Sequence, residues 1–455
     1  MIPHPPGCTE LLTARDVDAI VATALHILDE AGLTIQSLEA CQRLAEVGAR
    51  WDRDSMRVRI PPDSVREHVA KAPSEWILHA RNPARNVAVG GRSLALAPGY
   101  GSAFVADAQG GRRPATLEDF RRFARLAGRA EIIDITGGLL VEPSDVPSEE
   151  RPAVLTRTLL ECSDKPLFGS VAGSDGAQQS LDVARDILGQ IEDRPCVLGL
   201  ININSPLRLD ARMADAMLVY LQAGQPVVLT PGILMGITAP VTPAGALAQA
   251  WAELLGCVCL AQVVRPGVPV IVGTGGFAAD LRSGGSGFGR PEQALSTLAA
   301  AQVARRFGLP YRCSPATTGA LAPDVRSGYE SMMTALSAWH GGAHLGLQAA
   351  GTLDCINAMS LVKFCVDLEI WGYIKHMARP VQADTDALAL RDVLSLPTDY
   401  LSLVHTVEHF RDTCFAPTLS PATSYDIWNK TGHPDTLVHA ERLVQERLSE
   451  TTAFE

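Results

Sequence analysis

Between residues 93 and 378 the chain alternates two hydrophobic patterns. Short runs rich in apolar and β-branched residues recur as SLALAP (93–98), IIDITG (132–137), PLFGSV (166–171), CVLGLININ (196–204), PVVLT (226–230), PVIVGT (269–274), LPYRCS (309–314) and AHLGLQ (343–348). These runs are apolar on both faces, as strands of a buried parallel sheet are. Longer segments of helical period separate them, at 116–128, 149–163, 177–191, 211–223, 243–264, 291–307 and 328–340, and 361–378 follows the last. Strict alternation of strand and helix predicts an α/β fold, a (β/α)8 TIM barrel. A doubly wound sheet is the alternative parse.

Helix-start chemistry supports this division. Thr116 precedes a first turn carrying Glu118 and Asp119, Thr242 precedes Pro243, and Pro291 with Glu292 opens a further helix. Residues 1–90 read as a mainly helical N-terminal extension, 91–380 as the barrel, and 381–455 as a C-terminal helical extension packed on it. The glycine-rich stretch RSGGSGFGR (282–290) follows the sixth strand and is placed where a lid would sit.

Composition narrows the classes of function. The 455 residues include 47% hydrophobic and 20% charged residues, enough for a large core. A formal net charge of −11 argues against nucleic acid as a partner. The ten cysteines form no CxxC pair and fall mostly in apolar runs, which predicts reduced thiols in a cytoplasmic enzyme. No signal-peptide pattern opens the chain, and no uninterrupted apolar run of membrane-spanning length is evident.

In a barrel the chemistry sits where the strands end. That rule selects Tyr100 and Phe104 after strand one, Glu142 after strand two, and Asn202 and Asn204 at strand four. The charge-free loop TPGILMGITAPVTPAG (230–245) follows strand five and contains Gly232 and Gly236. Thr274 and Phe277 follow strand six, Arg312 lies on strand seven, and Gln348 ends strand eight. Tyr329 and Glu330 open the seventh helix on the same side. In a chain with only 5% aromatic residues, Tyr100, Phe104, Phe277 and Tyr329 gather at one rim, as a cage for a quaternary ammonium group would.

Other motifs carry less. His405, Glu408 and His409 match an HxxEH zinc pattern, but they lie in the C-terminal extension without a third ligand. GTGG (273–276) has the look of a phosphate cradle, but glycine turns are common after barrel strands. Neither an acid–base pair nor a metal set stands out. Methyl transfer from a quaternary amine fits that gap, because the leaving amine departs neutral and needs no proton. Binding, orientation and exclusion of water then carry the catalysis.

Several segments carry a resemblance: GYGSAF (99–104) with Asp107, NSPLRLD (204–210), GQPVVLTPG (224–232), GITAPVTPAGALAQAWAELL (236–255), RPGVPVIVGT (265–274), APDVRSGYE (322–330), HT (405–406) and YDIWNKTGHPDTLVHA (425–440). Together they resemble the trimethylamine methyltransferase superfamily, whose members pass a methyl group from methylated amines to a cognate corrinoid protein. The resemblance implies the same barrel. Founding members place pyrrolysine in the site; the aligned stretch here, TTGALAPD near Leu321, offers no amine-reactive group. That departure favours a non-pyrrolysine member acting on a quaternary amine of the glycine betaine type.

The resulting expectation is a methyltransferase with Co(I) of a separate corrinoid protein as acceptor and no tightly bound cofactor or metal of its own. Tyr100, Phe104, Phe277 and Tyr329 would bind the cation, with Glu142 or Glu330 adding negative charge. Arg312, or the N-terminus of the helix after Thr242, would take a betaine carboxylate, and Gln348 would line the pocket. Gly232, Gly236 and Thr274 would border the acceptor, and Asn202 or Asn204 would meet a pterin if the acceptor were tetrahydrofolate. A folate- or thiol-dependent barrel methyltransferase and a non-catalytic quaternary-ammonium-binding protein remain the alternatives. A homo-oligomer is expected from the family resemblance, with neither nucleic acid nor membrane as partner.

Overall fold

A computed structural model describes residues 1–192, 194–274, 279–282, 284–421 and 423–449. Seven of the eight expected strands are present: β1 (Ser93–Ala97), β2 (Leu167–Gly169), β3 (Val197–Ile203), β4 (Val227–Pro231), β5 (Val270–Gly273), β6 (Tyr311–Cys313) and β7 (Leu345–Leu347). They form one curled parallel sheet in the order β1-β7-β6-β5-β4-β3-β2. An eighth, two-residue strand, Ile2–Pro3, adds antiparallel to β1.

The expected second strand, 132–137, forms no regular strand. Its backbone still bridges the two ends of the parallel row. The Asp134 and Ile135 amides donate to the Leu96 carbonyl at 2.9 and 3.1 Å; the Thr136 amide donates to Pro166, and the Phe168 amide donates to Gly137. A side chain interrupts the ladder here: the Asp134 carboxylate accepts the Leu96 amide at 2.9 Å and also pairs with the N-terminal ammonium at 2.8 Å.

The helices follow the expected periods closely. In chain order they are α1 (Ala14–Glu30), α2 (Leu38–Glu46), α3 (Pro62–Val69), α4 (Leu117–Arg129), α5 (Arg151–Cys162), α6 (Gly173–Leu188), α7 (Ala211–Gln222), α8 (Pro243–Val264), α9 (Pro291–Phe307), α10 (Val325–Gly341) and α11 (Leu361–Met377). Thr116 makes a full capping box with Asp119. Thr242 occupies the cap position of α8, but its hydroxyl makes no capping bond.

Helix α8 is apolar all round, because both of its sides are covered. It packs on β4 and β5, and α1, α2 and α3 cover its outer face. It is long and apolar enough to cross a membrane, yet most of it is buried within the protein. The N-terminal region is less purely helical than expected. Leu33–Ile35 pairs with Arg57–Arg59 on one side and with Arg208–Leu209 on the other, which ties this region to the loop after β3. After α11 come α12 (Leu390–Leu394), α13 (Val404–Thr413), α14 (Tyr425–Lys430) and α15 (Thr436–Ser449). Only α15 contributes buried residues, Ala440 and Val444, where it packs on α11 and α4.

Candidate active site

The C-terminal ends of the strands open into a cavity of about 920 Å3. It holds seven of the expected residues: Tyr100, Glu142, Asn202, Asn204, Gly232, Arg312 and Gln348. Tyr100 follows β1 and is anchored by its backbone. Gln348, just after β7, accepts the Tyr100 amide proton at 2.9 Å and donates back to the Tyr100 carbonyl at 3.0 Å. Gln348 holds this pose in the left-handed region, at φ +82°.

The Tyr100 ring meets Phe168 edge to face, with centroids 5.9 Å apart. Burial pushes the Tyr100 phenol well above its ordinary range, so it stays neutral. Gly138 makes room for both rings: a Cβ there would lie 2.6 Å from Phe168 Cβ and 2.7 Å from Tyr100 Cε2.

Arg312 contributes a buried positive charge, and Arg151 and Arg212 also line the cavity. Arg312 lies on β6, only 3% exposed, and among the described residues its guanidinium makes one hydrogen bond, a long one of 3.4 Å from Nη1 to the Thr274 carbonyl. Its Nε is buried without a partner, and no carboxylate among the described residues pairs with it. Burial lowers its pKa to about 10, still well above neutrality. The Thr230 hydroxyl, at the end of β4 in the same cavity, is also buried without a partner. Asn202 and Asn204 alternate with Ile203, and both are exposed toward the opening.

The structure moves several expected residues out of the site. Phe104 does not border the cavity; the Arg112 guanidinium sits over its ring at 4.6 Å, held by Asp354. Tyr329 is 60% exposed and faces a groove on the outer side of α9 and α10, because it lies on the outward face of its helix. Glu330 is buried, but it serves the loop that follows β6. It accepts from the Thr318 hydroxyl at 2.5 Å, from the Gly319 amide at 2.9 Å and from Arg326 at 2.8 Å. With all three donors satisfied, it positions that loop rather than a substrate.

Glu142 does reach the cavity but is neutralised by Arg151 at 2.5 Å. The Thr274 hydroxyl is spent on the Tyr311 hydroxyl, 2.6 Å away and buried. Gly236 lies beyond the part of its loop that lines the site, at φ +80° and packed near Leu281. The N-terminus of α8 is exposed and does not border the cavity, so it offers no donors there. Phe277 lies outside the described residues. Among the described residues no cluster of His, Cys, Asp or Glu is arranged to hold a metal, and His409 instead pairs with Asp386 at 3.1 Å.

Other residues of the site escape a reading by strand ends alone. Phe168 reads as an ordinary strand residue, and Phe288 reads as part of a glycine-rich lid, yet both line the cavity. The loop bearing Phe288 is tied down: Asp280 pairs with Arg290 at 2.8 Å, and the Gly289 amide donates to Gln293 at 2.7 Å. Glu253, fully buried on α8, accepts from the Ser205 hydroxyl at 2.6 Å, from the Leu207 amide at 2.9 Å and from Gln249 at 3.0 Å. It fixes the NSPLRLD loop that carries Asn204 to the rim. In the sequence it is the one charged residue within 243–264. That was itself a signal, since a buried carboxylate demands donors.

The curled parallel sheet with a cavity at its strand ends defines an α/β fold with a candidate small-molecule site. The chain belongs to the trimethylamine methyltransferase (MTTB) family, which matches residues 2–454. It is 35% identical over 425 residues to a glycine betaine methyltransferase of Desulfitobacterium hafniense, covering 92% of this chain and 88% of that one. It is 27% identical over 381 residues to a proline betaine:corrinoid methyltransferase of Eubacterium limosum, covering 81% and 78%. Its fold is similar to that of the monomethylamine methyltransferase of Methanosarcina barkeri, with a TM-score of 0.50, 12% identity, and 97% and 96% of the two chains covered.

Proposed function

We propose that this methyltransferase takes a methyl group from a quaternary amine bearing a carboxylate, of the glycine betaine class, and passes it to the corrinoid of a separate protein. One observation carries the choice of substrate. A buried guanidinium, Arg312, has no carboxylate partner among the described residues and shares its cavity with Tyr100, Phe168 and Phe288. An unpaired buried cation is costly unless a ligand supplies the anion. A betaine would supply a carboxylate for Arg312 and a trimethylammonium group for the aromatic side. The two betaine-methyltransferase relatives support the same reading.

The substrate nitrogen already carries its positive charge. When the carbon–nitrogen bond breaks, the electron pair stays on nitrogen and a neutral tertiary amine leaves without a proton. That suits a cavity whose one carboxylate neighbour among the described residues, Glu142, is held by Arg151. The corrinoid would supply the methyl-accepting nucleophile. The cavity is far roomier than a betaine requires, so a second reactant has space to enter from the open side. The chain's own residues bind the two ends of the donor, keep the nitrogen among apolar rings, and aim one methyl outward.

The bridging hydrogen bonds of 134–137 support closure of the sheet into a (β/α)8 barrel, with 1–90 and 381–455 as extensions of a 91–380 barrel. Ten free thiols fit a cytoplasmic enzyme.

Calorimetric titration with glycine betaine and with choline, which lacks the carboxylate, tests the substrate assignment. Arg312→Gln should weaken glycine betaine binding by about 30-fold or more and leave choline within a few-fold. Equal glycine betaine affinity in the two proteins would overturn it. Methyl transfer to tetrahydrofolate without a corrinoid protein would overturn the acceptor.

A further inference from the structure

One row of the sheet holds two unsatisfied polar groups. Asn202 on β3 pairs in register with Thr230 on β4, and Gly273 on β5 pairs with Arg312 on β6. Between β4 and β5 the register aligns Leu229 with Val272, and one residue further it sets Thr230 beside Gly273. The row therefore runs Asn202, Thr230, Gly273, Arg312 across four neighbouring strands. Two residues earlier on their strands, Leu200, Val228 and Ile271 pack into one cluster with residues of β1, β2 and β7, which only the inner face of the curled sheet allows. Side chains two apart on a strand share a face, so the row points inward too. Asn202, Thr230 and Arg312 all border the cavity.

Gly273 is the gap in this row. A Cβ there would lie 2.8 Å from Arg312 Cβ and 2.8 Å from Arg312 Cδ, so the arginine stem lies over the bare backbone of β5. Because β5 separates β6 from β4, the guanidinium is carried towards Thr230. Thr230 is 7% exposed, and neither its hydroxyl nor Arg312 Nε has a partner among the described residues. A buried hydroxyl left unpaired forfeits the hydrogen bond it made to water. The Thr274 hydroxyl is not in that state, since it bonds to Tyr311.

We propose that Thr230 is a specificity-determining residue that completes the seat for the substrate carboxylate. Its hydroxyl donates to one carboxylate oxygen while Arg312 donates to the other. The assignment rests on the betaine reading of the site, and it adds an orientation. The carboxylate lies against β4 to β6, and Tyr100 and Phe168, at β1 and β2, stand at the two far ends of the strand order. The trimethylammonium end is therefore directed at those rings. A hydrogen bond to an ionised acceptor is stronger than one between neutral groups. A hydroxyl already stripped of water gives up nothing further when the carboxylate arrives, and a site built in this way rejects amines that bring no acceptor.

Calorimetric titration of glycine betaine into the wild type, Thr230→Val, Arg312→Gln and the double variant tests this. Thr230→Val keeps the shape of the side chain and removes the hydroxyl. It should weaken binding about tenfold, and its ligand-free melting temperature should equal or exceed that of the wild type. Thr230→Ser, which restores the hydroxyl, should bind within about threefold of wild type. In the Arg312→Gln background the change to Val should cost about threefold or less, because two groups that hold one carboxylate are coupled. Should Thr230→Val not fold, Thr230→Ala takes its place with the same expected loss of affinity. Full affinity in Thr230→Val, an equal loss in Thr230→Ser, or a tenfold loss that persists in the Arg312→Gln background would each overturn the proposal. A loss confined to Arg312→Gln would remove Thr230 from the seat and leave the betaine reading standing, whereas binding indifferent to both changes would overturn the two together.

Discussion

Gln348 and Tyr100 form a closed ring of two hydrogen bonds, 2.9 Å from the Tyr100 amide and 3.0 Å to its carbonyl. The side chain that ends β7 thereby fixes the backbone of the residue that follows β1, across the junction between neighbouring strands. Gln348 holds the backbone from which the Tyr100 ring projects.

Replacing Gln348 by Leu keeps the volume and removes both bonds. It should cost about 2 kcal/mol of stability, since two backbone groups lose their partner. Glycine betaine affinity should drop by about tenfold as Tyr100 loses its pose. Thermal unfolding and calorimetry read the two effects, and a variant that unfolds earlier but binds normally would show that Tyr100 needs no such support.

Gly138 leaves no room for a side chain between Tyr100 and Phe168. Gly138→Ala should displace one ring, costing about 1–3 kcal/mol in packing and at least as much in binding. Titration of the purified variant checks this; unchanged affinity would remove the two rings from the substrate site.

Glu330 serves the loop after β6 and does not border the cavity. Glu330→Ala should therefore lower stability by about 3 kcal/mol, because Arg326 and two donors lose their partner. Glu330→Gln, which retains an acceptor, should keep kcat within about threefold of wild type. A hundredfold loss of kcat at unchanged melting temperature would instead make the carboxylate chemical.

His344 links folding to pH. Burial is the main cause that lowers its pKa from 6.5 to about 4, with further repulsion from His4 and Arg305, while its bond to the Gly91 carbonyl acts the other way. Its Nδ1 accepts the Tyr311 amide at 3.0 Å, a bond that only the neutral ring can make. The folded state therefore resists a proton that the unfolded chain accepts below pH 6.5. Stability is full above that pH and is lost as the pH falls from 6.5 towards 4. Between pH 7 and 5 the loss should be about 2 kcal/mol. Urea unfolding at the two pH values measures it, and the difference should shrink in His344→Asn. The same slope in both proteins would place the titration elsewhere.

Periodicity alone determined the sheet. Alternating apolar runs and helical segments placed seven parallel strands and the helices between them to within a few residues, because a strand buried on both faces and an amphipathic helix leave local signatures. The rule that chemistry sits at strand ends then brought Tyr100, Asn202, Arg312 and Gln348 to one cavity. It failed where a side chain's direction matters. Phe104 and Tyr329 sit close in sequence to the rim but turn away, one beneath Arg112 and one onto the outside of α10. Asp134 reads as a strand residue, but its carboxylate takes the place of a backbone acceptor.

Only the tertiary structure decided that Arg312 is buried with no carboxylate partner among the described residues, that Phe168 and Phe288 reach the same cavity as Tyr100, and that residues 380–414 bury nothing. Those properties depend on which distant segments meet. A run of residues encodes its own period and its caps, whereas the partner of a charge or the cover of an apolar face is set by chains of contacts far apart in sequence.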